Sequence, residues 1–264
     1  MPKRTLVVCV AVLAFLSGAA HAGRIVVNHD EWTLSNTGYG SAGASNVDQF
    51  VVNLASFMNT NGGAFNMLIF SNNFGFTQSS FLGSLASLGA SVTQTTSAAT
   101  WAVGLGGYDG VFLAGNTPPA GYATDLTNYV NAGGSVYIAA GTGIGGPASE
   151  AALWNGFLGA FGLALDGTTY NGCCGNDATD GGHPLLAGVA QLFYNNGNTV
   201  STTGGSPFAQ IIETRTAAGA PPIGLIGVYD NVETPTPGLP EPASLALLGI
   251  GLSGLALMRR RKTT

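Results

Sequence analysis

The stretch between residues 23 and 239 is short of positive charge. Of eight Lys and Arg, Lys3 and Arg4 lie near the start and Arg259, Arg260, Arg261 and Lys262 near the end. Only Arg24 and Arg215 remain between them. Twelve of the thirteen acids fall in that same stretch, so it is about ten charges negative where the whole chain stands at -5. Phosphate backbones are bound through clustered cations, so nucleic acid is excluded as a partner. Docking of this body on anionic lipid head groups is disfavoured for the same reason. Cysteine is scarce too. Cys9 sits in an apolar run near the start, and only Cys173 and Cys174 lie in the body, so a long-loop disulfide within one chain is not available. Charged residues make up only 8% of the chain, yet 45% is hydrophobic. That is enough to build a core, and the body is not of the disordered type. No period of roughly 20–50 residues indicates a solenoid or propeller.

The two ends have their own grammar. Lys3 and Arg4 precede an apolar run over 6–16, and Ala20-His21-Ala22 offers small residues where a signal peptidase reads. We read 1–22 as a removed secretory leader and 23–233 as one large domain. Residues 234–239, with Pro235 and Pro237, form an extended linker. Then come Pro240-Glu241-Pro242, the uncharged run ASLALLGIGLSGLALM over 243–258, and the cluster Arg259, Arg260, Arg261 and Lys262. The run is shorter than the roughly 20 apolar residues that cross a bilayer core comfortably. Tilt and snorkelling of the flanking arginines make up a few ångströms, so a single C-terminal transmembrane helix is expected over 243–258. The cations after it should stay on the cytoplasmic side.

This order of tripeptide, short apolar helix and terminal arginine cluster resembles the PEP-CTERM sorting signal. The resemblance implies a substrate of the membrane protease exosortase in a Gram-negative envelope, with Pro240, Glu241 and Pro242 as the recognition element and cleavage near them. It further implies association with exopolysaccharide. The partners expected on this basis are signal peptidase, exosortase, exopolysaccharide and, through the tail, the membrane. The destination implied is the outer surface or extracellular matrix after a stage at the membrane.

Between the ends, strand and helix patterns alternate. Short apolar runs at 25–27, 67–70, 90–93, 110–114 and 135–140 read as strands. Apolar residues at helical spacing mark helices over 46–59, 79–88, 121–131 and 148–161, the first capped by Asn46. Residues 35–45 read as a polar loop rich in Gly and Ser. Beyond Gly162 the pattern turns to strands at 163–165, 209–214 and 223–229. The expected class is α/β, with a mostly parallel sheet, helices on both faces and a β-rich C-terminal part.

In open α/β sheets, ligands sit beyond the carboxyl ends of the strands. Three loops fall there: Ser71-Asn72-Asn73, Gly115-Asn116-Thr117 and the turn 141–146. Their side chains are hydroxyls and amides, which suit a polyol or sugar, so Ser71, Asn72, Asn116, Thr117, Gly141, Thr142 and Gly143 form a candidate ligand rim. The turn matches G-x-G-x-x-G, with Asp166 twenty residues past Gly146. It lies in a late unit of an exported chain, so a glycine turn into a helix is the better reading than a dinucleotide site, although its N–H groups are placed to hold an anion.

The same strand, turn and helix resemble the flavodoxin-like fold of class I glutamine amidotransferase-like proteins, in which a nucleophilic Cys at this turn works with a later His and Glu. Here the turn carries Thr142, with Glu150 and His183 downstream, so the fold is implied and the chemistry is not. The segments 28–39, 150–163, 183–189 and 194–198 resemble a group of PEP-CTERM proteins that brings no activity with it.

Adjacent Cys173 and Cys174 can form a vicinal disulfide, remain thiols or bridge to partners; the vicinal bridge in a loop 171–182 is the favoured state. A zinc site with His183 is poorly spaced. Asp177 and Asp180 in that loop are weak calcium candidates beside a solvated-loop reading. No cofactor is expected. Two functions fit: a noncatalytic envelope or matrix protein sorted with exopolysaccharide, or an extracellular hydrolase or amidotransferase relative using the turn 141–146.

Overall fold

A computed structural model of the protein describes residues 23–60, 62–216 and 221–231. The expected linker, sorting signal and transmembrane helix over 243–258 lie outside the described residues, as does the leader. No helix among the described residues is long and apolar enough to cross a membrane.

The chain opens with β1 (Arg24–Asn28), α1 (Asn36–Ala42) and α2 (Ala44–Met58). It continues through β2 (Asn66–Phe70), α3 (Phe74–Thr77), α4 (Ser79–Ser87), β3 (Ser91–Gln94) and α5 (Ala98–Val103). Next come β4 (Gly110–Leu113), α6 (Tyr122–Asn131), β5 (Ser135–Ala139) and α7 (Pro147–Leu158). The rest is β: β6 (Leu163–Asn171), β7 (Gly175–Ala178), β8 (Gln191–Tyr194), β9 (Gly197–Thr202), β10 (Ala209–Arg215) and β11 (Ile223–Asp230). The main sheet has nine strands in the order β3-β2-β4-β5-β1-β11-β9-β6, with β10 added on β11. The first five are mutually parallel. The other four join by antiparallel pairing, and β7 and β8 form a separate ladder.

Burial on both faces explains the parallel strands. Along β2, Met67 and Ile69 enter a core with Phe50 and Leu54 of α2 and Phe81 of α4. Leu68 and Phe70 enter a second core with Trp101 of α5, Leu126 of α6 and Trp154 of α7. Side chains alternate across a strand, so covering both faces requires an unbroken apolar run, and NMLIF, GVFL and SVYIA supply it. α2 answers with Val47, Phe50, Val51, Leu54, Phe57 and Met58 on one buried stripe.

Several local expectations are corrected. Residues 36–42 are helical, not loop. Two glycines make this a poor helix former, but Ser35 accepts the Gly38 N–H at 3.1 Å and the buried Tyr39 ring anchors its inner face. α2 consequently begins at Ala44, and the Asn46 amide serves elsewhere, donating to Ala42 O and accepting from Ala190 N. α7 buries Ala151, Trp154, Phe157 and Leu158, while Ala152 is exposed. Leu88, the last apolar residue of the helix expected over 79–88, lies just past the end of α4 and is 40% exposed. The loop 171–182 contains β7.

The flavodoxin-like expectation is also changed. The strands β3-β2-β4-β5 follow the second-first-third-fourth order of that fold, but the fifth place is taken by the N-terminal strand β1, and an antiparallel wing continues the sheet. Two ties hold this junction. Arg24 of β1 pairs with Asp230 of β11 at 2.8 Å and covers the Phe57 ring at 4.4 Å. Just before it, the Gly23 N–H donates to Val130 O at 2.6 Å, and a side chain at position 23 would lie 1.6 Å from Gly134 O.

Candidate functional site at the carboxyl edge of the parallel strands

Helices leave β1 and β2 toward one face of the sheet and β4 and β5 toward the other. The loops after β2 and β4 therefore part, as do those after β1 and β5, and ligands of open sheets bind where neighbouring connections diverge in this way. After β2, Ser71 is buried and donates to Ala114 O at 2.5 Å, while the Asn72 N–H donates to Asn116 Oδ1 at 3.0 Å. These two loops are joined directly. Thr117 is exposed beside them. Gly141 and Thr142 lie in the second crevice, against β9 and α7, where Gly141 N–H donates to Asn198 Oδ1 at 3.4 Å.

The turn 141–146 needs its glycines. Gly141, Gly143, Gly145 and Gly146 all have φ between 66° and 83°, a region where side chains are strained. The place an anion would take at the start of α7 is already filled. Thr142 donates to the Glu150 carboxylate through its N–H at 3.2 Å and its hydroxyl at 2.7 Å. Glu150 also accepts from Tyr170 Oη at 3.1 Å. A phosphate there would meet a carboxyl instead of free N–H groups, so the anion expectation for this turn is withdrawn. Asp166 is turned to its own loop, accepting from Thr168, and does not face the turn as a ribose ligand would.

A group that the sequence reading passed over completes the edge. Directly after β1, His29, Asp30 and Glu31 are all buried. Glu31 accepts from Asn73 Nδ2, which bridges the loops of β1 and β2. Burial pushes its carboxyl up to about 7, the Asn73 bond opposes that shift, and the charge of Glu150 adds to it. Glu150 is raised by burial against the opposing bonds from Thr142 and Tyr170. Asp30 is likewise raised by burial to about 7, although it accepts the N–H groups of Trp32 and Asn195. Both cations of the body are engaged elsewhere, Arg24 on Asp230 and Arg215 on Asp177. The edge is thus a set of amides, hydroxyls and carboxyls whose pKa values are raised by burial. One signal for Glu31 existed in the sequence: a polar run immediately following the first apolar strand.

The other candidate residues lie apart. His183 packs on Phe57 at 5.4 Å, near Arg24 and Asp230, at the amino end of β1 and thus at the opposite end of the sheet from Thr142. A Thr142–His183 pair therefore does not assemble. Cys173 and Cys174 are joined to each other. Asp177 is in an ion pair with Arg215 at 2.5 Å, and Asp180 accepts from Gly182 N–H at 2.9 Å. No group of three or more His, Cys, Asp or Glu is arranged to hold a metal among the described residues. A groove of about 580 Å³ runs elsewhere, between α2 and α4, past Tyr39, Asp48 and Ser84.

Residues 239–262 match the family described as PEP-CTERM protein-sorting motif. The chain thus carries the signal of an exported protein that exosortase sorts and that is anchored transiently in the membrane. No curated protein and no solved structure matches the chain. The flavodoxin-like resemblance of the body therefore has no solved relative behind it.

Proposed function

We propose that the protein is a noncatalytic component of the cell envelope or extracellular matrix, sorted together with exopolysaccharide and binding neutral glycan weakly along the carboxyl edge. The observation that carries this reading is the chemistry of that edge. Its hydroxyls and amides, Thr142, Tyr170, Asn72, Asn73 and Asn116, surround carboxyls whose pKa values burial raises, and Arg24 and Arg215 are paired with Asp230 and Asp177. Polyols are recognised by such donor and acceptor arrays, whereas acyl transfer requires a nucleophile in contact with a base. The Thr142 hydroxyl is committed to Glu150, and His183 is at the far end of the sheet. Binding of the purified protein to a panel of neutral and acidic polysaccharides tests the reading. Retention on neutral polymers that is lost in Asn116→Ala and Asn73→Ala supports it, and retention on acidic polymers alone refutes it. Deleting residues 239–262 should release the protein from the envelope without altering its fold.

A second reading rests on one observation: Glu31 and Glu150 interact across the crevice and both carboxyls are raised. Such a pair supplies the acid and base of glycoside hydrolysis. Release of reducing ends from a bound polysaccharide, abolished in both Glu31→Gln and Glu150→Gln, would replace the noncatalytic reading with this one.

A further inference from the structure

We propose that Cys173 and Cys174 form a reversible thiol–disulfide exchange site, not a structural staple. A cross-link stabilises a fold mainly by closing a loop of the unfolded chain, and one between adjacent residues closes none. Both cysteines are exposed, as labile and reactive disulfides are and structural ones seldom are.

The surrounding chain holds its shape without the sulfur bond. Arg215 donates to Gly172 O and Gly175 O, the carbonyls on either side of the pair, and its guanidinium is fixed in turn by Asp177. On one side Asn171 is paired with Gly197 of β9, and on the other Gly175 is paired with Tyr194 of β8. Opening the bond therefore frees two sulfur atoms without freeing the backbone that carries them.

The site also has a place for the reduced form. Asn195 Oδ1 lies 3.3 Å from Cys173 Sγ and 2.7 Å from Cys174 Sγ. A carbonyl oxygen accepts protons, and a disulfide sulfur has none to give; a thiol does. Asn195 gains its donors only on reduction. The positive charge of Arg215 beneath the loop favours a departing thiolate. Inside, Gly172 closes over the buried His29, so the loop lies directly above a buried polar cluster.

The exchange partner is a dithiol. Its thiolate attacks one sulfur of the pair, the S–S bond breaks, and the other cysteine leaves as a thiolate that takes up a proton. The second thiol of the partner then displaces the mixed disulfide. Two electrons and two protons pass to the protein, and the partner leaves as its own disulfide.

The test uses the full-length exported protein in detergent, equilibrated without oxygen against graded ratios of reduced and oxidised dithiothreitol, then alkylated and weighed. Two alkylations should appear together in a single two-electron transition, with far-UV circular dichroism unchanged. A native spectrum with no alkylation in excess reductant, a single alkylation, or reduction accompanied by loss of the spectrum would each overturn the proposal. Asn195→Ala should lower the dithiol-to-disulfide ratio at fixed poise several-fold, and an unchanged ratio removes the role assigned to Asn195. The double variant Cys173→Ala/Cys174→Ala should fold and melt as the parent does; failure to fold would make the pair a staple after all.

Discussion

The five parallel strands and the antiparallel wing share one sheet but are held together differently. In the parallel half β1, β2, β4 and β5 are buried on both faces, with β3 exposed at the edge, and packing of large apolar groups does the work. Phe112 stacks on Tyr137 at 5.0 Å and meets Phe76 edge-on at 5.7 Å. The wing is built from sequences such as LALDGTTYN and GNTVST, with ten of their fifteen residues exposed or partly so. There the described ion pairs take over: Arg24 fastens β1 to β11, and Arg215 fastens β10 to β7. A chain with two cations in its body has placed one at the junction and one in the wing. Apolar burial is non-directional and tolerates few charges, whereas thin, one-sided strands need specific ties.

The contrast can be broken most severely in the parallel half. Phe112→Ala should cost about 4 kcal/mol, since Phe112 is fully buried and leaves a cavity between two rings. Urea denaturation measures it, and a loss below about 1 kcal/mol would mean that this core is not close-packed.

The next effect is that of pH, and it spans both halves. Burial raises Asp30, Glu31 and Glu213 to about 7, and Glu150 is raised as well. The native chain therefore keeps protons that the unfolded chain sheds near pH 4, and stability present below that pH is lost as pH rises through 7. Burial lowers His29 to about 3 and also lowers His183, which works in the opposite direction below pH 6.5 or so. The carboxyls outnumber the imidazoles. The melting temperature should accordingly fall by roughly 5–10 °C between pH 4.5 and 7.5. Glu31→Gln should flatten that profile, and a profile that rises over this window contradicts the assignment.

Arg215→Ala sharpens the comparison in the wing. It leaves Asp177 and two carbonyls without their donor and should cost about 2 kcal/mol. Hydrogen exchange should increase in β7, β8 and β10 and stay unchanged in β2 and β4. Uniform loss of protection would show that the two halves unfold as one. Thr142→Ala removes only the donor to Glu150 and should cost about 1 kcal/mol while leaving export intact. The smallest effect belongs to Leu88→Gln on the surface, within about 0.5 kcal/mol of zero by thermal melting.

The same contrast decides how much could be read from the chain. Runs such as MLIF and GVFL can only be two-sided strands or buried helix segments, and polar or glycine residues at their ends fix their length, so most of the parallel half was legible. In the wing, β10, β11 and the start of β6 were legible as apolar runs, whereas the rest of β6 and β9 were not, because strands rich in Gly, Asn and Thr look like loops until a partner supplies their hydrogen bonds. α1 was hidden by its glycines, since its stability comes from the Ser35 cap and the burial of Tyr39. At the site, Thr142, Asn72 and Asn116 were visible from their positions after strands. Glu31 could have been found in the same way, in the polar run after β1, whereas Asn198 and Tyr170 could not, because each reaches the edge through tertiary pairing with distant segments.

Gly23 bears on the order of events during export. Its N–H lies on Val130 O, and its Cα faces Gly134 too closely for any side chain. The bond between Ala22 and Gly23 is the one at which the leader reading places cleavage. Once β1 has docked between β5 and β11, one side of that bond is enclosed by the helix-to-strand turn after α6. A protease needs its substrate extended and accessible, so cleavage at the expected leader boundary is favoured while β1 is undocked. On the leader reading, protection of that bond from proteolysis in the folded protein, against cleavage in the unfolded chain, is the expected mark of β1 having docked.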